Sequence, residues 1–117
     1  MPAIEFTIDI PVSNNDLYRV VKGRSILSSD GRQWYEYAVP HIQRHTPAGM
    51  IEGPVTVIYT FHFHDNRRRD IFNYEKALSD AITKAGVWGD DSQIVHGSVA
   101  KRVSPGNPHV AVSIVWG

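Results

Sequence analysis

Three consecutive arginines, Arg67, Arg68 and Arg69, run directly into Asp70, and two adjacent aspartates, Asp90 and Asp91, close the same stretch. Guanidinium groups grip phosphate oxygens, and carboxylates hold hard divalent cations. Side by side, they suit metal-assisted hydrolysis of a phosphodiester. Between them the spacing predicts a short helix that begins at Asp70, whose carboxylate suits an N-cap or first-turn position. If the fold brings the Asp90-Asp91 turn beside the start of that helix, Asp70 and Asp91 can share one ion such as Mg²⁺. Two carboxylates are enough when waters and phosphate oxygens complete the shell. Lys76, about a turn and a half further along the helix, is available to offset charge that builds on a phosphate in the transition state. Asp80 reads more simply, as a solvated residue or an i±4 partner for Lys76 or Lys84.

The helix has the stripe needed to hold these groups. Ile71, Tyr74, Leu78, Ile82 and Ala85 recur at spacings of three and four, and Gly86 supplies a stop. Asn73, Lys76 and Asp80 fall on the opposite face. Around it, residues 3–10 alternate as a half-buried strand, and Pro11-Val12-Ser13-Asn14-Asn15 ends it as a loop. Leu17 to Ser29 is read as irregular or briefly extended. A helix follows from about Arg32 to His45, capped by Ser29 or Asp30 and kinked at Pro40. Thr46-Pro47-Ala48-Gly49 is a loop. Residues 54–64, rich in β-branched and aromatic types, form the central strand. Ser92 to Val103 and His109 to Trp116 form two more, joined by a turn at Pro105-Gly106-Asn107-Pro108, the last antiparallel to its neighbour. The order is β-α-β-α-β-β: a single α+β domain over residues 1–117, with a mixed sheet of about four strands and two main helices packed on it.

Composition narrows the classes. The chain has 117 residues, enough for one core, and contains no cysteine, so disulfides and thiolate metal sites are excluded. No apolar run spans a bilayer and no signal peptide is expected, which together suggest a cytoplasmic protein without membrane contact. Twelve Lys+Arg balance twelve Asp+Glu, so net charge does not point to nucleic acid. Its distribution does. Arg19, Lys22 and Arg24 lie in an acid-free segment, a second patch beside Arg67, Arg68 and Arg69, and both read as phosphate-binding surfaces for DNA. The six histidines do not make a metal site by spacing: His41 and His45 lack an intervening glutamate, and His62 and His64 fit a strand. No glycine-rich nucleotide loop is present, so no organic cofactor is expected. Taken singly, the arginine run also reads as a solvated loop and Asp90-Asp91 as a plain turn.

The stretch RRRD…N..K….DA.TKAG.W.DD.Q resembles the RusA family of Holliday-junction resolvases, small phage- and prophage-associated endonucleases. The likeness extends to Pro11-Val12-Ser13-Asn14-Asn15 with Tyr18, Arg19, Gly23 and Arg24, and to Ser28-Ser29-Asp30-Gly31, so it covers nearly the whole length. It implies a Mg²⁺-dependent homodimer, with Mn²⁺ as a substitute, that binds four-way junction DNA and nicks two opposed strands in recombination and repair. By position it makes Asp70 and Asp91 metal ligands, Lys76 the cation of catalysis and Arg69 a DNA contact near the cut. One position departs: the family's usual Asp-x-Asp-Asn is Asp70-Ile71-Phe72-Asn73 here, and phenylalanine cannot ligate a cation. Asp90, and after it Glu75 or the Asn73 carbonyl, are the substitutes at hand. The alternatives are a junction-binding protein with little or no cleavage, and a metal-dependent nuclease acting on flapped DNA or RNA.

Overall fold

The computed structural model describes residues 2–46 and 49–117. In chain order its elements are β1 (Ala3–Ile8), α1 (Asn14–Leu17), β2 (Tyr18–Val21), β3 (Arg24–Leu27), α2 (Ser29–His45), β4 (Val55–Phe63), α3 (Phe72–Lys84), a 3₁₀ turn (Asp91–Gln93), β5 (Ile94–Val103) and β6 (His109–Trp116). The main sheet runs β1-β6-β4-β5 and is mixed. β4 is parallel to β5, whereas β6 is antiparallel to both β1 and β4. The α+β class and the four-strand sheet follow the sequence reading. So does the antiparallel last strand, although it lies between β1 and β4 and does not pair with β5.

The core forms where the two periodicities meet. Val55, Val57, Tyr59, Phe61 and Phe63 alternate inward along β4, with Ile4, Phe6 and Ile8 of β1 and Val110, Val112 and Ile114 of β6 beside them. Trp34, Ala38 and Ile42 of α2 and Ala77, Leu78, Ala81 and Ile82 of α3 close over this face in one continuous cluster. Within it a directional chain satisfies the Tyr59 and Ser79 hydroxyls. Tyr59 Oη lies 2.9 Å from Ser79 Oγ, and Ser79 in turn donates to Glu75 Oε1 at 2.7 Å.

Four local readings need correction. The segment read as irregular is the hairpin β2–β3, and it turns at Lys22 and Gly23, both at positive φ (52° and 75°). That pairing is what a tight type I′ hairpin turn requires. Second, α2 starts earlier than Arg32, because Ser28 is its cap: its Oγ accepts the Gly31 N–H at 2.9 Å. It then runs through Pro40 to His45. Third, Asp70 is not the N-cap of α3. Ile71 holds that position, yet Asp70 Oδ1 still accepts the Phe72 N–H at 3.1 Å. Asp91 to Gln93 forms a 3₁₀ turn and not the start of a strand, because Asp90 and Gln93 cap it reciprocally. Gly86 does end α3, at φ 83°. Of the loop expected at 46–49, Pro47 and Ala48 lie outside the described residues.

Candidate active site

The loop that carries Asp70 is cross-braced. After Phe63 closes β4, Asp65 accepts the Arg67 N–H and holds Arg69 Nη2 at 2.8 Å. The Arg67 N–H, with help from Arg69, keeps the Asp65 carboxyl below the usual carboxylate range. The Arg69 guanidinium also lies over the Phe63 ring, 4.3 Å from its centroid, and only 16% of its side chain is exposed. From the neighbouring strand, Lys101 Nζ donates to the Arg69 carbonyl at 3.0 Å. Arg67 Nε also lies 3.5 Å from Asp65 Oδ2, with 81% of its side chain exposed, and Arg68 is exposed. Arg67, Arg69, Lys101 and Arg102 line a recess of about 200 Å³ beside Asp70. By contrast, a groove of about 460 Å³ next to α2 is lined by Asp9, Asp16 and Asp30 with no lysine or arginine, and it would repel phosphate.

A second cluster forms around Asp91. Lys76 Nζ lies 3.3 Å from Asp80 Oδ2, one of the i±4 pairings expected for Asp80. The Asp80 hydrogen bond and charge, with a smaller contribution from Asp91, hold the Lys76 ammonium above its ordinary pKa. Asp90 and Asp91 pull each other apart. The Ser92 N–H and a hydrogen bond from Asp91 keep Asp90 low, while that shared bond, desolvation and the charges of Asp90 and Asp80 push Asp91 up. A carboxyl raised by acidic neighbours, as Asp91 is, would be relieved by a divalent cation. The donor chemistry on this side therefore fits a hard metal ion. Two tyrosines border the cluster: Tyr18, which belongs to the stretch that carried the resemblance, and Tyr35, which carried no signal in the sequence. Burial, followed by the Asp80 charge, keeps the Tyr35 phenol well above its usual range, and Tyr18 of β2 lies within electrostatic reach of both Lys76 and Tyr35. Glu75 accepts the Ser79 hydroxyl and is committed to the core network.

One chain does not bring the two ends together. Asp70 follows the C-terminal end of β4, where Phe61 pairs with Lys101; Asp91 precedes Ile94, which pairs with Val55 at the opposite end. Among the described residues no three His, Asp or Glu side chains gather as a ligand set. Phe72, at the departing position, is 67% exposed at the first turn of α3. Arg19, Lys22 and Arg24 all stand exposed on the β2–β3 hairpin.

Residues 9–115 match the family model described as endodeoxyribonuclease RusA. The chain is 37% identical over 101 residues to proteins named crossover junction endodeoxyribonuclease RusA from Shigella sonnei (strain Ss046), Escherichia coli (strain K12) and Enterobacteria phage 82. Each comparison covers 86% of this chain and 84% of the relative.

Proposed function

The chain belongs to the RusA family of endodeoxyribonucleases, and from that premise we propose that it resolves four-way (Holliday) junctions by divalent-metal-dependent hydrolysis, making paired symmetric nicks as a homodimer. The observation that carries this reading is the position of Asp70 and Asp91 at opposite ends of β5, an edge strand with one free side. Two copies paired antiparallel along β5 would set Asp70 of one against Asp91 of the other, twice, about a two-fold axis. Exposed apolar groups favour the same pairing: Val95 is 68% exposed at the Asp91 end, and Val103 (60%) and Phe72 (67%) at the Asp70 end. Two identical sites then face two opposed strands, which is what symmetric nicking needs.

In each such site Asp70 of one protomer, with Asp91 and Asp90 of its partner, would hold the cation. When bound, Mg²⁺ or Mn²⁺ polarises the phosphate and lowers the pKa of a water. Lys76 is the nearest mobile ammonium to Asp91 and offsets the charge that builds on the phosphoryl oxygens. Arg67 and Arg68 hold the flanking phosphates, and Arg69 stiffens the loop through Asp65 and Phe63. Arg19, Lys22, Arg24, Lys101 and Arg102 extend the basic track, so affinity falls steeply with salt.

A labelled synthetic four-way junction incubated with Mg²⁺ tests the reading, with linear duplex, flap and RNA hairpin substrates alongside. Paired symmetric nicks are expected from the parent and none from Asp70→Asn; equal product from the two proteins would refute the role of Asp70. The exposed Phe72 favours one other reading, a junction binder that does not cut. Tight junction binding without nicks in either Mg²⁺ or Mn²⁺ would decide for it.

A further inference from the structure

The hairpin β2–β3 belongs to neither layer of the fold. It forms its own two-stranded sheet, and Leu27 alone of its strand residues is partly covered. Its base is anchored firmly. Ser28 donates its N–H to the Leu17 carbonyl at 3.0 Å, and α2 packs so closely there that a Cβ at Gly31 would lie 2.5 Å from the same oxygen. The tip is free, and its composition is unusual for a solvated turn. Val20 is 75% exposed and Val21 38%, on opposite faces of the strand that enters the Lys22-Gly23 turn, and Ile26 adds a further 37%. Cross-strand pairing joins Arg19 with Ile26 and Val21 with Arg24, so one face alternates guanidinium and aliphatic groups. No acidic residue falls between Leu17 and Ser29.

Exposed valines at a hairpin tip cost solubility and contribute nothing to the core. A collar of three cations around them excludes a basic partner and matches phosphates. Linear duplex offers such a tip only grooves of stacked, paired bases. At a four-way junction the stack is interrupted, and apolar side chains can enter between unstacked bases while the collar grips the surrounding phosphates. We propose that the hairpin is a wedge: Val20 and Val21 insert at the branch point, and Arg19, Lys22 and Arg24 clamp the strands that diverge from it. The inference rests on the junction reading above and gives it a source of shape selectivity.

The test uses the full chain, a synthetic four-way junction with 2-aminopurine at the crossover, and linear duplex of the same arm sequence. The parent should raise 2-aminopurine emission on binding. The double variant Val20→Ser/Val21→Ser, altered only at exposed positions, should lose that rise. Its junction affinity should fall about tenfold while its duplex affinity stays within twofold. Unchanged emission and an unchanged junction-to-duplex ratio in the variant would overturn the wedge. So would a drop in solution mass with equal losses on both DNAs, which would make the tip a contact between copies of the chain. Nicking by the parent, scored in the same reactions with Mg²⁺ added, reports separately on the nuclease reading. A parent that binds the junction, raises the emission and does not cut keeps the wedge and removes the nuclease.

Discussion

Lys101 Nζ donates to the carbonyl oxygen of Arg69 at 3.0 Å, and this bond ties the far end of the edge strand β5 to the loop that presents Asp70. Asp91 stands just before the near end of the same strand. One strand therefore separates the two carboxylates within a chain, and two antiparallel copies of it would reunite them.

Complementation checks this directly. Asp70→Asn and Asp91→Asn should each abolish nicking alone. Mixed under conditions that allow subunit exchange, they should recover single nicks and not paired ones, because a heterodimer contains one site with both native carboxylates and one with neither. Activity that stays absent after verified exchange would mean the two aspartates act within one chain or not on one ion.

Lys76 should separate activity from stability. Its pair with Asp80 is solvent-exposed, so Lys76→Ala should change stability by less than about 0.5 kcal/mol. Removing a cation positioned for the transition state should lower the cleavage rate by roughly 10²–10³. Single-turnover rates beside denaturant midpoints measure both, and a small rate effect would take Lys76 out of the mechanism.

Arg67 and Arg69 should differ despite their proximity. Arg67→Ala removes the phosphate contact proposed for this exposed side chain, so junction affinity should fall and the slope of log affinity against log salt should drop by about one. Arg69→Ala removes the group that bridges Asp65 and the Phe63 ring, so it should lower the melting temperature by several degrees as well. Identical thermal and binding profiles for the two variants would contradict the brace.

The buried chain from Tyr59 through Ser79 to Glu75 predicts an asymmetry. Ser79→Ala leaves the Tyr59 hydroxyl buried without a partner and should cost about 1–3 kcal/mol, even with the better helix propensity of alanine. Tyr59→Phe removes the stranded group itself and should cost about 1 kcal/mol. Urea unfolding of both variants gives the comparison; a larger loss in Tyr59→Phe would reverse the donor order.

His62 predicts an acid limb in stability. Burial, then the charges of His109 and Arg102, lowers its pKa below the ordinary imidazole value, and its ring stacks on His109 at 4.6 Å. The unfolded chain then binds the proton more readily than the folded one. Stability is full above the unfolded value near 6.5 and is lost as pH falls through it toward the folded value. Thermal melts at pH 7.5 and 5.5 should therefore differ less in His62→Gln than in the parent.

The elements that local pattern controls were legible in the chain itself. The alternation of Ile4, Phe6 and Ile8 and the stripe from Ile71 to Ala85 mark buried faces because side-chain period follows directly from backbone geometry. The glycine that ends α3 is legible for the same reason, since only a residue without a Cβ enters the left-handed region freely. What the arginine run, Lys76 and the paired aspartates are chemically able to do was also readable, because charge and ligand type belong to single residues. Position in space was not. The β2–β3 hairpin hid in a segment with weak alternation, and its turn rests on Lys22 at positive φ, a conformation that sequence does not announce. That Asp70 and Asp91 flank opposite ends of one edge strand depends on β5 running parallel to β4 after a helical crossover, and strand direction is a property of the whole sheet. The residues suggested the chemistry; the order and direction of four strands decided that Asp70 and Asp91 stand at opposite ends of β5.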